Sequence, residues 1–297
     1  MGANPRIAFR LSSQRPRLAP PEGKPLIVHI VVNIENWMFD AAMPRKLLTA
    51  PHGAESVPDV PNFSWAEYGM RCGLPRIVTA LADRSLPASC AMNASVIEAY
   101  PEVAVAVLEA GWEIVGHGFH QRAAHTNPDE ADSIGEALSR LRAYSGQAVD
   151  GWLSPGLRET LDTPDLLKAA GIRYCADWIV DDLPCWMETL HGPMIAMPYS
   201  LEINDSVLHA VQHQRSDEML RRLEDSLPIL AREAQDNPRI ITFGLHPHLI
   251  GVPHRMAHFE RMLDLLVARP DTVFLTGGAI ADWYAAAEPV EGGGRES

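Results

Sequence analysis

The stretch that most constrains this chain is Leu26-Ile27-Val28-His29-Ile30-Val31-Val32, followed at once by Asn33-Ile34-Glu35-Asn36-Trp37. Six of these first seven residues are apolar and five are β-branched. A run of that length without polar alternation suits a strand buried on both faces, which is the habit of parallel sheets. The polar residues then arrive together, where such a strand would end.

From Arg71 onward the same grammar repeats. Helical spacing over 75–85 precedes a strand at 88–92 that ends at Asn93, and a helix over 101–110 stops at Gly111. A strand over 112–115 ends at His117, set between Gly116 and Gly118. Asn127, Pro128 and Glu130 form a capping-box pattern ahead of a helix carrying Ile134, Leu138 and Leu141. Short strands follow at 151–153, 172–176, 194–198, 239–245 and 272–276. Helices are expected over 164–170, from Ser216 through Leu227, over 255–269 and over 279–287. Strands alternating with helices imply βαβ units and a parallel sheet. Seven or eight such units fit a closed or nearly closed barrel in a single domain over 26–287. An arm of residues 1–25 precedes it, and a flexible Gly-rich tail, 288–297, follows. The proline-punctuated segment 38–70 is too long to be a simple connection in a compact domain. Arm and segment together are expected to cover the rim and to help form a homo-oligomer.

Composition narrows the function. With 25 basic and 38 acidic side chains, the net charge of −13 disfavours nucleic acid. Cys72, Cys90, Cys175 and Cys185 are widely spaced, form no CxxC pair, and read as thiols of a cytoplasmic protein. The apolar run 26–32 is far too short to span a bilayer, so no membrane partner is expected.

Glu35, Asn93, His117, Asp177, Glu202 and His246 all fall at or just beyond strand C-termini. In a parallel barrel those ends share one rim, where active sites are built. Glu35 could serve as a base or a metal ligand, or could simply end a strand. His246, in Leu245-His246-Pro247-His248, has the titration range of a general acid, although a capped core histidine reads the same way. His248, His254 and His258 read as surface residues. Neither a phosphate-cradling glycine loop nor a GxSxG elbow is present.

Taken in order, Asn33-Ile34-Glu35, His117-Gly118-Phe119-His120-Gln121, Trp152-Leu153-Ser154-Pro155-Gly156, Asp177-Trp178 and Leu245-His246-Pro247 resemble the motifs of the polysaccharide deacetylase (carbohydrate esterase) superfamily. The 38–70 insertion and the Glu202-Ile203-Asn204-Asp205 segment are similar to its allantoinase-like and cyclic-imide-hydrolase-like branch. The resemblance spans about residues 26–285 and implies an irregular (β/α) barrel that hydrolyses non-peptide C–N bonds. Its usual members hold a divalent ion with an Asp and an H-x-x-x-H pair, while a second Asp acts as base. Here Asn33 stands where the base is expected, Glu35 resembles the metal-binding Asp, and Gln121 follows His117 in place of histidine.

The resemblance implies ring-opening of a small cyclic amide or imide. Glu35 and His117 would activate water, and His246, oriented by Asp177, would protonate the leaving nitrogen. Trp37, Asn93, Trp178, Glu202 and Asn204 would hold the ring. No cofactor is expected, or at most a labile ion at Glu35, His117 and Gln121. Two rivals are a metal-dependent N-deacetylase of an acetylated sugar and a catalytically inactive barrel that binds a small ligand.

Overall fold

The structure is a computed structural model describing residues 3–50, 53–126 and 129–290. Asn127 and Pro128 of the expected capping box, and tail residues 291–297, lie outside the described residues.

β1 (Leu26–Ile34) is the central strand, and all nine of its residues are buried. It runs parallel to β8 (Arg239–Leu245) from Leu26 to Val32 and to β2 (Ser89–Met92) from Val31 to Ile34. β9 (Thr272–Phe274) fills the lower half of that second edge, pairing Leu26 to Val28. From β2 the sheet continues through β3 (Glu113–Gly116), β4 (Gly151–Trp152), β5 (Tyr174–Cys175) and β7 (Met194–Ala196), all parallel. β6 (Cys185–Met187) lies antiparallel on the outer edge of β7. The expected parallel barrel is therefore borne out, with an antiparallel edge strand that three residues were too few to announce.

Closure between β7 and β8 is irregular. Gly244 forms a parallel bridge with Asn204, the Ile240 N–H donates to the Asp182 carbonyl at 3.1 Å, and the Thr242 hydroxyl to the Pro198 carbonyl at 3.0 Å. A side chain at Gly244 would overlap the Asn204 amide, so glycine is needed for this close approach.

The period-2 alternation of β1 sorts its residues into two cores. Val28, Ile30, Val32 and Ile34 face the outer layer, packed under the helices. Ile27 and Val31 face the barrel interior, with Ala91, Val115, Tyr174, Ile195 and Met197. The same parity turns His29, Asn33 and Glu35 inward. Each fully buried aliphatic side chain contributes about 1.5–3 kcal/mol relative to exposure, so this strand specifies its register strongly.

The helices in chain order are α1 (Val60–Tyr68), α2 (Leu74–Ala82), α3 (Val96–Ala99), α4 (Pro101–Glu109), α5 (Glu130–Ser145), α6 (Thr163–Ala169), α7 (Glu218–Glu233), α8 (Pro253–Val267) and α9 (Gly277–Ala287). A π-helical turn, Gly69–Gly73, joins α1 to α2, so the last third of the expected irregular segment is helical. Asp59 caps α1 by accepting from the Asn62 N–H. α9 plugs the barrel floor, with Ile280, Ala281 and Tyr284 in the interior core.

The arm lies away from the rim. Leu18 packs into the floor core, Arg6 forms a two-pronged pair with Asp165 (3.0 and 2.7 Å), and Arg15 reaches Asp181 (3.2 Å) and Glu288 (3.0 Å). The expectation that it covers the rim is thus corrected: its arginines find their carboxylates on the flank and floor. Among the described residues no helix is long and apolar enough to cross a membrane.

Candidate active site

The site is assembled at the C-terminal ends of β1, β3 and β8. Glu35 follows β1 directly and takes the inward parity of Asn33. His117 follows β3, and His246 follows β8. The His117 and His246 Nε2 atoms stand 3.7 and 3.5 Å from the same carboxylate oxygen, Glu35 Oε1. Gln121 Nε2 donates to that oxygen at 2.7 Å, and Trp37 Nε1 donates to the other at 3.0 Å.

Each histidine is fixed from behind. His117 Nδ1 lies 2.6 Å from the Leu153 carbonyl. A carbonyl only accepts, so Nδ1 carries a proton; Nε2 is buried and has no hydrogen-bond partner. His246 Nδ1 lies 2.7 Å from Asp205 Oδ1. The other Asp205 oxygen accepts the backbone N–H groups of His246 (2.7 Å) and Ile250 (3.1 Å).

Charge follows from this arrangement. Burial disfavours an imidazolium at His246, but the Asp205 and Glu35 carboxylates outweigh it and hold its pKa at about 9. Burial would likewise raise the Glu35 carboxyl, yet the charge and hydrogen bonding of His246, with the His117 ring close by, hold it well below the usual carboxylate range. At neutral pH the site therefore contains an imidazolium between two carboxylates, with the His117 ring facing the central one.

Asn33 Nδ2 donates to the Tyr199 hydroxyl and to the Leu245 carbonyl, both at 3.1 Å. Its Oδ1 is left as the free atom on the cleft wall. Asn33, Glu35, Trp37, Ala66, Met70, Pro247 and His248 line a narrow cleft of about 10 Å³. α1 and the following π-helical turn supply Ala66 and Met70, so part of the 38–70 segment does cover the site. They reach it because Gly69 and Gly73 lie directly on the 247–251 loop, where a β-carbon would overlap the His248 and Pro247 backbone.

Glu35, His117, His246 and Trp37, expected from the sequence, thus converge. The remaining candidates do not. Asp177 does not orient His246: its Oδ1 accepts the Ser154 N–H at 2.7 Å and its Oδ2 lies 3.3 Å from the Cys175 thiol. Asp205 holds His246 instead, because its loop runs beside the C-terminal end of β8. Glu202 is not a ring ligand: its side chain is 80% exposed and pairs with Arg222 at 2.6 Å. Asn204 caps the turn at Ser206 N–H (3.0 Å) and donates to Tyr199 (3.3 Å), serving barrel closure. Asn93 is fully buried and braces the site, bonding the His117 carbonyl, Gln121 Oε1 (3.1 Å) and the Asn36 N–H (2.8 Å). Trp178 donates to Glu159 at 2.8 Å, outside the cleft.

The residues expected to hold an ion do not fit a three-ligand site. Asn93 fixes Gln121 Oε1 and turns its amide nitrogen, a donor, toward Glu35. Glu159, Cys175 and Asp177 do lie close enough to meet one ion. Burial and the Asp177 charge raise the Glu159 carboxyl to about 9, and burial raises the Cys175 thiol. Such a trio satisfies itself with shared protons.

Residues 65–175 match the sequence model of the polysaccharide deacetylase family. A Schizosaccharomyces pombe protein, named provisionally as a polysaccharide deacetylase, is 27% identical over 246 residues, covering 75% of this chain and 76% of its own. A Pseudomonas aeruginosa PAO1 structure, also named provisionally as a polysaccharide deacetylase, superposes with a TM-score of 0.81 at 26% identity over 93% of this chain and 96% of that one. A PuuE allantoinase structure reaches a TM-score of 0.85 at 24% identity over 97% and 99%, which establishes a shared fold. The resemblance drawn from the ordered motifs is borne out: residues 65–175 match the polysaccharide deacetylase family, and the barrel fold is shared with a structure named for that activity and with PuuE allantoinase.

Proposed function

We propose that the protein hydrolyses non-peptide C–N bonds by opening a small cyclic amide or imide. The observation that carries this reading is the pairing, across one carboxylate, of an imidazole nitrogen without a partner and an imidazolium. The fold shared with PuuE allantoinase supports the same choice.

The chemistry divides between the two histidines. A water oxygen attacks the ring carbonyl carbon, and its proton passes to His117 Nε2. The C–N bond breaks, and the nitrogen takes the proton held on His246 Nε2. The product is a ring-opened carboxylic acid. Glu35 stays ionised throughout, stabilising positive charge first on His246 and then on His117. Asp205 keeps His246 protonated near neutrality and fixes its tautomer. No step needs an ion at Glu35, so activity on ring substrates is expected to survive chelation.

The test is a panel of hydantoins, allantoin and five- and six-membered cyclic imides, followed by loss of ring amide absorbance with and without chelator. Ring opening that disappears in Glu35→Gln and His246→Ala supports the reading. A second reading, N-deacetylation of an acetylated sugar, is favoured by the family match over residues 65–175. Acetate release from N-acetylglucosamine oligomers, lost on chelation and with no ring opened, would replace the first reading by the second.

A further inference from the structure

His248 lines the cleft but takes no part in the chemistry just described. Its ring is 5% exposed and makes no hydrogen bond, and its Nε2 is fully buried without a partner. Polar atoms in protein interiors are nearly always satisfied, so an unsatisfied one calls for an explanation. The ring is not loose. Trp65 meets it edge-on at 4.7 Å and 87°, Trp37 at 5.3 Å and 70°, and His246 at 5.9 Å and 76°. Gly69 lies on its backbone and prevents retreat. Burial, with the charges of His246 and Arg45, keeps the ring neutral. A rigid, neutral imidazole offers one donor and one acceptor.

The rest of the cleft is divided. Glu35, His117 and His246 serve the attacked carbonyl and the leaving nitrogen. Apart from Asn33, the other wall residues (Trp37, Ala66, Met70, Pro247) present apolar surface. A methylene edge would be content against such a wall were it not for the ring nitrogen of His248. A buried polar group that a substrate leaves unpaired discriminates strongly against that substrate.

We infer that His248 is a specificity-determining residue, hydrogen-bonding a second polar edge of the ring, so that hydantoins and cyclic imides are selected over simple lactams of the same size. This rests on the ring-opening reading above and adds to it the identity of the favoured ring.

The test compares wild type with His248→Phe, which keeps the edge-on packing, and His248→Gln, which returns an amide at similar reach. Three quantities are measured: KM and kcat for a cyclic imide, Ki for the lactam of equal ring size, and the melting temperature. The expected result for His248→Phe is a KM for the imide raised tenfold or more, kcat changed less than threefold, a lactam Ki unchanged or lower, and an unchanged melting temperature. His248→Gln is expected to recover at least half of the lost imide-to-lactam preference on a logarithmic scale. If imide KM and lactam Ki rise together, or neither moves, His248 is a packing residue and the inference is overturned while ring opening stands. A wild type that opens no ring overturns the functional reading, and this inference with it.

Discussion

Two buried glutamates occupy opposite ends of this barrel, and they behave as opposites. Glu113 lies at the floor. It accepts from the Ser89 hydroxyl (2.6 Å), the Tyr174 hydroxyl (2.9 Å) and the Gly278 N–H (2.8 Å). With no cation facing it, burial raises its carboxyl above the usual value. Glu35 at the rim is equally hidden, but an imidazolium faces it and its carboxyl is held well below that value. The floor carboxyl is saturated by neutral donors that lock α9 against β2 and β3. At the rim, nitrogens are left without partners, on His117 and His248. Saturation marks a structural joint, and incompleteness marks a surface built for a ligand. The rule is not general: His29 Nδ1 and Thr272 Oγ1 at the floor also lack partners, as do side-chain nitrogens of Arg45, His120, His209, Arg255 and His258, and the structure gives no physical account of them.

The comparison breaks most visibly if the two carboxylates are neutralised in turn. Glu35→Gln is expected to lower kcat by about 10³-fold or more, since it removes the charge that stabilises both histidines. The folded fraction, read by circular dichroism, should stay near wild type. Should Glu35→Gln retain more than a tenth of wild-type kcat, the rim carboxylate is not part of the chemistry.

Asp205→Asn should come next, with a roughly 10–100-fold loss of kcat and a shifted pH profile. His246 is held at about 9 in the folded protein. Its imidazolium therefore contributes stability and acid catalysis that are complete below about pH 6.5. Both are lost as pH rises through about 9. With Asp205 neutral, the alkaline limb of the rate profile should move down by a unit or more. An unmoved limb would show that Asp205 is merely structural.

Glu113→Gln tests the other end. It is expected to cost about 1–3 kcal/mol, because one donor finds no acceptor, and to lower the melting temperature by several degrees. kcat per folded molecule should stay within twofold. Because the Glu113 carboxyl is raised in the folded state, its burial favours folding at low pH. That contribution is lost as pH climbs from about 4.5 through the raised value, so over that interval the stability of Glu113→Gln, read by chemical denaturation, should depend less on pH than that of wild type. A catalytic defect larger than twofold would couple floor to rim.

Glu202→Ala is the smallest expected effect. The side chain is 80% exposed and its partner is a surface arginine, so KM, kcat and melting temperature should all move within error. A tenfold rise in KM would restore Glu202 to the site.

Much of this was legible in the chain. The buried run Leu26–Val32, the glycine-flanked His117 and the strand end at His246 follow from periodicity and turn chemistry, which act within a few residues. They sufficed for the parallel barrel and for three of the residues that meet in the cleft. Local rules also placed Glu202, Asn204 and Asp205 at the rim together. Which of the three turns inward is set by the Asn204–Gly244 bridge, a contact 40 residues apart in sequence. The assignment of Asp177 to His246 failed for the same reason. Both are aspartates near strand ends, and only the curl of the sheet decides which strand end neighbours β8.

What the sequence determined by itself is the parity of β1: once both faces are buried, every second residue must face the interior, and Glu35 falls on that face. What only the tertiary structure decided is the company Glu35 keeps. His246 arrives by 1–8 strand pairing, Gln121 by a loop braced on Asn93, and His248 by a helix pressed against its backbone at Gly69. Periodicity is a property of neighbours along the chain, whereas a pKa is set by charges across a few ångströms of space, whatever their distance in sequence.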